Sequence, residues 1–283
     1  MKCSIPILCV LCAMSWLMSA CNLDQEVDLK LPEYDSRLVV EGYLEVGRPF
    51  AVLLTRSSGY FDPFNLNGNQ FLTDLLEGGA RVTIKQGDKV YELENRLTVD
   101  RFTGKFFNYF LDMPVPANYD EAFELEILTG KGDRISSTTQ LLKPILIDSV
   151  NVEFDPDEPS LARVLTYFTD PPDETNYYRR MLSEGNLDSL AFQDFSTSDR
   201  VVENVVVFGT RYVFEEGDSV INTLFHISED YYNFLESVQG AVQANGNPFA
   251  QPSPIISNIE SNANAVGIFT TLNYDRRVTV IKR

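Results

Sequence analysis

From Arg37 onward the chain alternates apolar and polar residues with period two. The runs Arg37-Leu38-Val39-Val40-Glu41-Gly42-Tyr43-Leu44, Phe50 to Thr55, Ala80 to Lys85 and Lys89 to Leu93 each place one set of side chains on one face. That spacing is the signature of a half-buried strand, because successive side chains point to opposite faces. Gly87-Asp88 between two such runs marks a hairpin, and Gly130 to Asp133 is a second turn cluster. Phe106 to Phe110, Ala122 to Leu128 and Arg134 to Thr139 complete the series. Short strands at regular spacing predict an immunoglobulin-like β-sandwich over residues 37–142. Gly42 sits inside a strand and is read as a bulge.

The segment Leu142-Lys143-Pro144-Ile145 reads as a junction between this sandwich and a second β-rich domain over residues 143–283. Strands are expected at Ile147 to Phe154, Ala162 to Thr169, Asn176 to Ser183, Arg200 to Phe208, Arg211 to Phe214 and Val220 to Ile227, with closing strands at Val266 to Leu272 and Arg277 to Ile281. One amphipathic helix is predicted over 229–244. Ser228 is placed to cap it, and Glu229 and Asp230 fall where the helix dipole favours acids. Tyr231, Phe234, Leu235, Val238 and Val242 share one face. Asn245-Gly246 and Pro248 end it. The fold class expected is therefore mainly β: an N-terminal immunoglobulin-like sandwich, then a β-rich domain with one helix. In the run Asn176-Tyr177-Tyr178-Arg179, alternate tyrosines face opposite sides, and Arg179 is expected to pair with Asp170.

The first twenty residues change the picture. Lys2 is the only charge before Asp24, and an apolar stretch runs from Ile5 to Met18. This is a secretory signal, too short for a comfortable membrane span. Leu17-Met18-Ser19-Ala20-Cys21 resembles the bacterial lipobox, which implies cleavage after Ala20 and lipidation of Cys21. All four cysteines, Cys3, Cys9, Cys12 and Cys21, lie at or before that cut. The mature body is thus left without disulfides or a cysteine nucleophile, and its stability must come from packing. Residues 21–36 form an acidic tether. The acids Asp24, Glu26 and Asp28 resemble an export signal for display on the outer face of the outer membrane; the alternative is a linker facing the periplasm. A formal charge of −18 repels nucleic acid and anionic lipid surfaces.

The connection from Ser57 to Gly79 is long for a compact domain. It holds Tyr60, Phe61, Phe64 and Phe71 among glycines and asparagines. These four are the candidate partner-binding residues; the alternative is an insertion that covers a sheet edge.

Several segments together resemble a large lipoprotein family described as a domain of unknown function, number four-two-four-nine. They are Leu38-Val39-Val40-Glu41-Gly42, Gly79 to Ile84, Asp148-Ser149-Val150, Asp170 with Asn176 to Arg179, Asn245 to Phe249, and Ser257-Asn258-Ile259 leading to Ala265 through Phe269. The resemblance spans the whole mature chain. It implies an outer-membrane lipoprotein encoded beside a TonB-dependent transporter, with a glycan or peptide as candidate ligand. It supplies no catalytic residues.

The residues themselves argue against an enzyme. His226 is the single histidine, so neither a histidine-based triad nor a multi-histidine metal site can form within one chain. No phosphate-binding glycine loop and no Gly-x-Ser-x-Gly elbow occur. Two acidic, proline-broken loops remain. Asp155, Asp157 and Glu158 are candidate calcium ligands, and Asp157 with Asp173 is the candidate carboxylate pair of a glycan hydrolase. The reading preferred is a non-enzymatic accessory of a TonB-dependent barrel, with no cofactor beyond the lipid on Cys21. An adhesin or structural spacer is the alternative.

Overall fold

A computed structural model of the chain describes residues 35–58, 75–100, 105–172, 174–188, 190–199, 204–244 and 254–283. Its strands are β1 (Leu38–Glu45), β2 (Pro49–Arg56), β3 (Arg81–Gln86), β4 (Lys89–Val99), β5 (Phe106–Pro114), β6 (Phe123–Leu128), β7 (Arg134–Thr139), β8 (Ile147–Phe154), β9 (Leu161–Thr169), β10 (Tyr177–Glu184), β11 (Gln193–Ser198), β12 (Val205–Gly209), β13 (Phe214–Glu215) and β14 (Ser219–Ile227). Helix α1 (Glu229–Ala244) follows, then β15 (Glu260–Ser261) and β16 (Val266–Val280). The chain is mainly β, and Ser36–Arg283 form one compact unit.

Twelve of the strands make one sheet, ordered β11-β10-β14-β16-β1-β2-β5-β4-β3-β6-β7-β15. Strand β4 turns the sheet back on itself. Its first half pairs with β3 and its second half with β5, and the register shifts between Asn95 and Thr98. Such a bulge bends a strand and raises its twist. The fold-over packs Val40, Phe50, Val52 and Leu54 against Ile84, Leu93, Phe123 and Ile127, all buried, to give the first core. The inward residues are those the period-two pattern selects, as in β1, where Leu38, Val40, Gly42 and Leu44 are buried and their neighbours half-exposed.

At the other end, β10, β14 and the second half of β16 face a smaller sheet in which β9 lies between β8 on one side and β12 and β13 on the other. Ala162, Val164 and Phe168 from β9, Val206 and Phe208 from β12, and Leu182 and Leu224 from the large sheet fill the space between. Helix α1 covers the opposite face, over Tyr177, Phe225 and Ile268. Ser228 caps it through Oγ, which accepts from the Tyr231 amide at 3.2 Å. The apolar stripe stops short of its expected length: Val242 is 67% exposed, whereas Ser237 is buried and bonds the Phe234 carbonyl and the Ile256 amide.

The two closing strands expected from sequence are one strand, β16, and it joins both packed layers. Val266–Leu272 pair parallel with β1, and Asn273–Val280 pair antiparallel with β14. Gly267 (φ +137°) makes the parallel contact, with an ideal Cβ there lying 1.9 Å from the Val40 carbonyl oxygen. Gly42 is not a bulge; the β16 ladder runs through it and the β2 ladder reaches it, neither with a register shift. It leaves space for the Phe269 ring, whose Cδ2 would lie 2.8 Å from a Cβ at that position. On its other edge, the first half of β16 meets side chains instead of a strand. Asn258 bonds both the amide and the carbonyl of Phe269, at 3.0 and 2.8 Å, and Ser257 Oγ accepts from the Gly267 amide at 3.0 Å. An amide side chain can stand in for a peptide group because it carries the same donor and acceptor.

Side chains of β16 also hold the segment between β7 and β8, where the sequence places the junction. Thr271 donates to the Gln140 carbonyl, Asn273 to the Leu142 carbonyl, and Asp275 accepts from the Ile147 amide, at 2.8, 3.1 and 2.9 Å. These residues alternate along β16 and so share one face.

The two glycines make separate predictions. Gly267→Ala meets backbone at a φ closed to other residues, and should cost more than about 4 kcal/mol or abolish folding. Gly42→Ala meets only a ring edge and should cost about 1–3 kcal/mol. In urea melts, Phe269→Leu is expected to recover part of the Gly42→Ala loss and none of the Gly267→Ala loss; recovery in both would refute this assignment.

Candidate functional site

The candidate residues Cys21, Tyr60, Phe61, Phe64 and Phe71 lie outside the described residues. The base of the aromatic segment is described, and it is clamped on both sides. Ser57 exchanges main-chain and side-chain bonds with Ser36 and Arg37: its amide reaches the Arg37 carbonyl at 2.8 Å, and its carbonyl accepts from Ser36 Oγ at 2.7 Å. On the return, Leu76 pairs with Thr55, and the Glu77 amide donates to the Leu54 carbonyl at 3.0 Å. Arg56 forms an ion pair with Glu77. Buried Asn108 completes the clamp. Its side chain bonds the amide and carbonyl of Leu54 at 2.8 and 2.9 Å and the Glu77 carbonyl at 2.9 Å. The chain therefore leaves and rejoins β2 at neighbouring rungs. It does so at the end of the sheet where Ser36 and Arg37 lead into β1.

The acidic loop Asp155-Pro156-Asp157-Glu158 closes the hairpin between β8 and β9. Asp155 Oδ1 accepts from the amides of Asp157 and Glu158, at 2.9 and 3.4 Å, which is a side-chain-closed turn. Among the described residues no three His, Cys, Asp or Glu side chains converge as a metal site would require. Asp173 lies outside the described residues.

Arg179 does not pair with Asp170. Period two sends it to the helix-covered face, where it meets Asp194 at 2.6 and 2.7 Å and the Tyr231 hydroxyl at 2.7 Å. Tyr178 takes the inward position instead and donates to Asp170. His226 engages both ring nitrogens, Nδ1 with the Lys143 carbonyl at 2.8 Å and Nε2 with Asn176 Oδ1 at 3.1 Å. It ties β14 to the β7–β8 connection and to the entry of β10.

Sequence reasoning missed Arg180. It is the largest fully buried side chain, 1% exposed, between the two sheets at the β10–β14 pairing. The readable signal was two adjacent arginines in a strand, since alternation must send one of them inward. Its guanidinium donates to Asn222 Oδ1 from Nε and Nη2 (3.2 and 2.9 Å), to Thr166 Oγ1 from Nη2 (3.3 Å) and to Gln193 Oε1 from Nη1 (2.8 Å). All three acceptors belong to neutral groups.

A family model described as Domain of unknown function (DUF4249) matches residues 24–277. The chain belongs to this family. Two of the segments of this DUF4249 chain that carried the resemblance have a shared physical role, since Gly42, Gly267, Ser257 and Asn258 surround the pairing of β1 with β16, whereas Asn245 to Phe249 lie outside the described residues. No curated protein matches the chain. Among solved structures, a cytokine receptor complex in one crystal form is similar at 11% identity, covering 86% of this chain and 96% of that one, with a TM-score of 0.27. A second crystal form gives 16%, 65%, 89% and 0.26 for the same measures. A pullulanase complexed with maltotriose from Anoxybacillus sp. LM18-11 gives 10% identity and a TM-score of 0.21, over 66% of this chain and 24% of that one. Likeness at this level assigns neither a fold relation nor a function.

Burial is the main force on four tyrosines at these sites. It pushes the hydroxyls of Tyr43, Tyr178, Tyr231 and Tyr274 above the ordinary tyrosine range, with carboxylates adding to the push at Tyr178 (Asp170) and Tyr274 (Glu45). Below about pH 10 the folded and unfolded chains both keep these protons, and the contribution to stability is fully present. Above it the unfolded chain ionises first, so stability should fall as the pH rises. Spectrophotometric titration should show these four ionising above the free-tyrosine midpoint until the fold is lost; their ionisation at that midpoint with the fold intact would refute this.

Proposed function

We propose that this chain is a non-enzymatic lipoprotein of the outer membrane, held by acyl chains on Cys21 and displayed on the cell surface, where it docks on a TonB-dependent transporter and helps capture its ligand. One observation carries the reading. The base of the aromatic segment and the chain's entry into β1 lie at the same end of the sheet, joined by the bonds between Ser57 and Ser36–Arg37. A tether from Cys21 reaches the folded unit at Ser36. The end it holds toward the membrane is then the end from which Tyr60, Phe61, Phe64 and Phe71 depart, beside any partner embedded in that membrane. Aromatic side chains suit such a contact, because they bury much area at little entropic cost.

Two further features support this. No helix among the described residues is long and apolar enough to cross a membrane, which is compatible with a lipid anchor. The charge of −18 makes adsorption to anionic headgroups unfavourable, so retention near the surface would need a specific attachment. The non-enzymatic part rests on His226, whose two ring nitrogens are both engaged in tying strands together.

Because Thr55 and Leu76 already pair, residues 58–74 can be replaced by a short Gly-Ser link without moving either strand. Crosslinking in intact cells followed by purification should recover an outer-membrane barrel with the wild-type chain. The excised form should recover at least roughly tenfold less, the loss expected when an aromatic anchor worth about 2 kcal/mol is removed. Cys21→Ser should leave the membrane fraction. Equal barrel recovery after excision, or membrane retention of Cys21→Ser, would overturn the reading.

A further inference from the structure

The inner face of β10 carries a charge that no described residue neutralises. Arg180 is 1% exposed, and among the described residues no carboxylate contacts its guanidinium. Burial alone holds its ionisation low, at about 10, with no anionic neighbour opposing the shift. An arginine stays protonated near neutral pH, so this is a buried cation without a counter-charge, a costly arrangement.

The surrounding donors are also in surplus. Asn222 Oδ1 accepts from Arg180 Nε and Nη2 and from Thr166 Oγ1, which fixes the amide's orientation. Its Nδ2 is then buried without any acceptor. One Nη1 hydrogen of Arg180 is left over as well, since the guanidinium has five N–H groups and four are engaged. Net positive charge with unmatched donors calls for a group that only accepts and carries negative charge.

One edge of the guanidinium lies close to solvent. Nη1 is held by Gln193, a half-buried residue on the edge strand β11. Phe192 and Phe195 flank Gln193 and cross the gap between the sheets to Phe214 and Phe208, at ring distances of 5.4 and 5.2 Å. Both remain open to water, at 45% and 38% exposed. Two partly exposed aromatic rings thus flank a neutral amide that occupies the outermost cationic donor.

We propose that this edge of the second sandwich is a binding site for a small organic carboxylate with an apolar body. The carboxylate displaces the Gln193 amide from Arg180, and the chain rests between Phe192 and Phe195. The exchange replaces a neutral acceptor with an ionised one, which gives a shorter and stronger bond to the guanidinium. No bond is made or broken covalently. The site is separate from the clamped base of the aromatic segment and does not depend on the transporter reading.

The test uses the chain from Cys21 onward carrying Cys21→Ser, with octanoate, octanamide and chloride as probes in calorimetry and thermal melts. Octanoate should bind and raise Tm, because a ligand selective for the folded state stabilises it. Arg180→Met should fold with a Tm equal to or above wild type, since replacing an uncompensated buried charge by an apolar side chain of similar length is often neutral or stabilising. It should bind octanoate about tenfold more weakly or not at all. Gln193→Glu supplies the carboxylate from within, and should raise Tm while abolishing octanoate binding. Absence of octanoate binding to the parent chain would overturn the proposal. So would equal binding of octanamide or chloride, or octanoate binding unchanged in both variants.

Discussion

The parallel pairing of β16 with β1 is the constraint on which the rest of the molecule depends. It joins residues more than 200 positions apart, Val39 with Val266 through Glu45 with Leu272. Closing so long a loop costs little more than closing one half its length, but it must be done before the contacts that reward it can form. The reward is local and tight. Gly267 lets the Val40 carbonyl approach where no Cβ could stand, and Gly42 leaves room for the edge of the Phe269 ring against β1. The same strand then continues past Leu272 to pair with β14, so a single backbone runs from one packed core into the other. Its inward polar side chains also bind the β7–β8 connection, and a segment that sequence reads as a linker is therefore docked along its length.

Much of this architecture was legible because a half-buried strand has a period that composition cannot hide. Arg134–Thr139 and Ile147–Phe154 have the ends expected for them, and helix α1 begins at its cap and spans the expected residues. The failures have causes of the same physical kind. Strand β11, Gln-Asp-Phe-Ser-Thr-Ser, lies at an edge and carries one apolar residue, so no alternation marks it. The middle of β16, Asn273-Tyr274-Asp275-Arg276-Arg277, looks like a turn because its inward side chains bond a connecting segment instead of filling an apolar core. Gly42 was read as a local defect because sequence shows a missing side chain but not the ring that fills its place. The Arg179 pairing failed by one residue of alternation, which moves a side chain to the opposite face.

The polar interior follows from the same geometry. Where β10 runs between α1 and the smaller sheet, each of its residues must bury in one layer or the other. Arg179 finds Asp194 and Tyr231 on the helix side, and Arg180 finds only amides and a hydroxyl on the other. The first arrangement is balanced in charge and the second is not. Function was less legible than fold for a related reason. The aromatic segment announces itself by composition, whereas the buried guanidinium shows its meaning only once both sheets and the edge residue Gln193 are placed around it.

The central claim is that one shared strand makes the two packed layers a single cooperative unit. Native-state hydrogen exchange along β16 under increasing denaturant tests it directly. The amides that face β1, such as Ile268 and Thr270, and those that face β14, such as Asp275 and Arg277, should open with the same free energy and merge into one global unfolding event. If the second set exchanges through a separate, lower-energy opening while the first stays protected, the two layers are independent and the account is wrong.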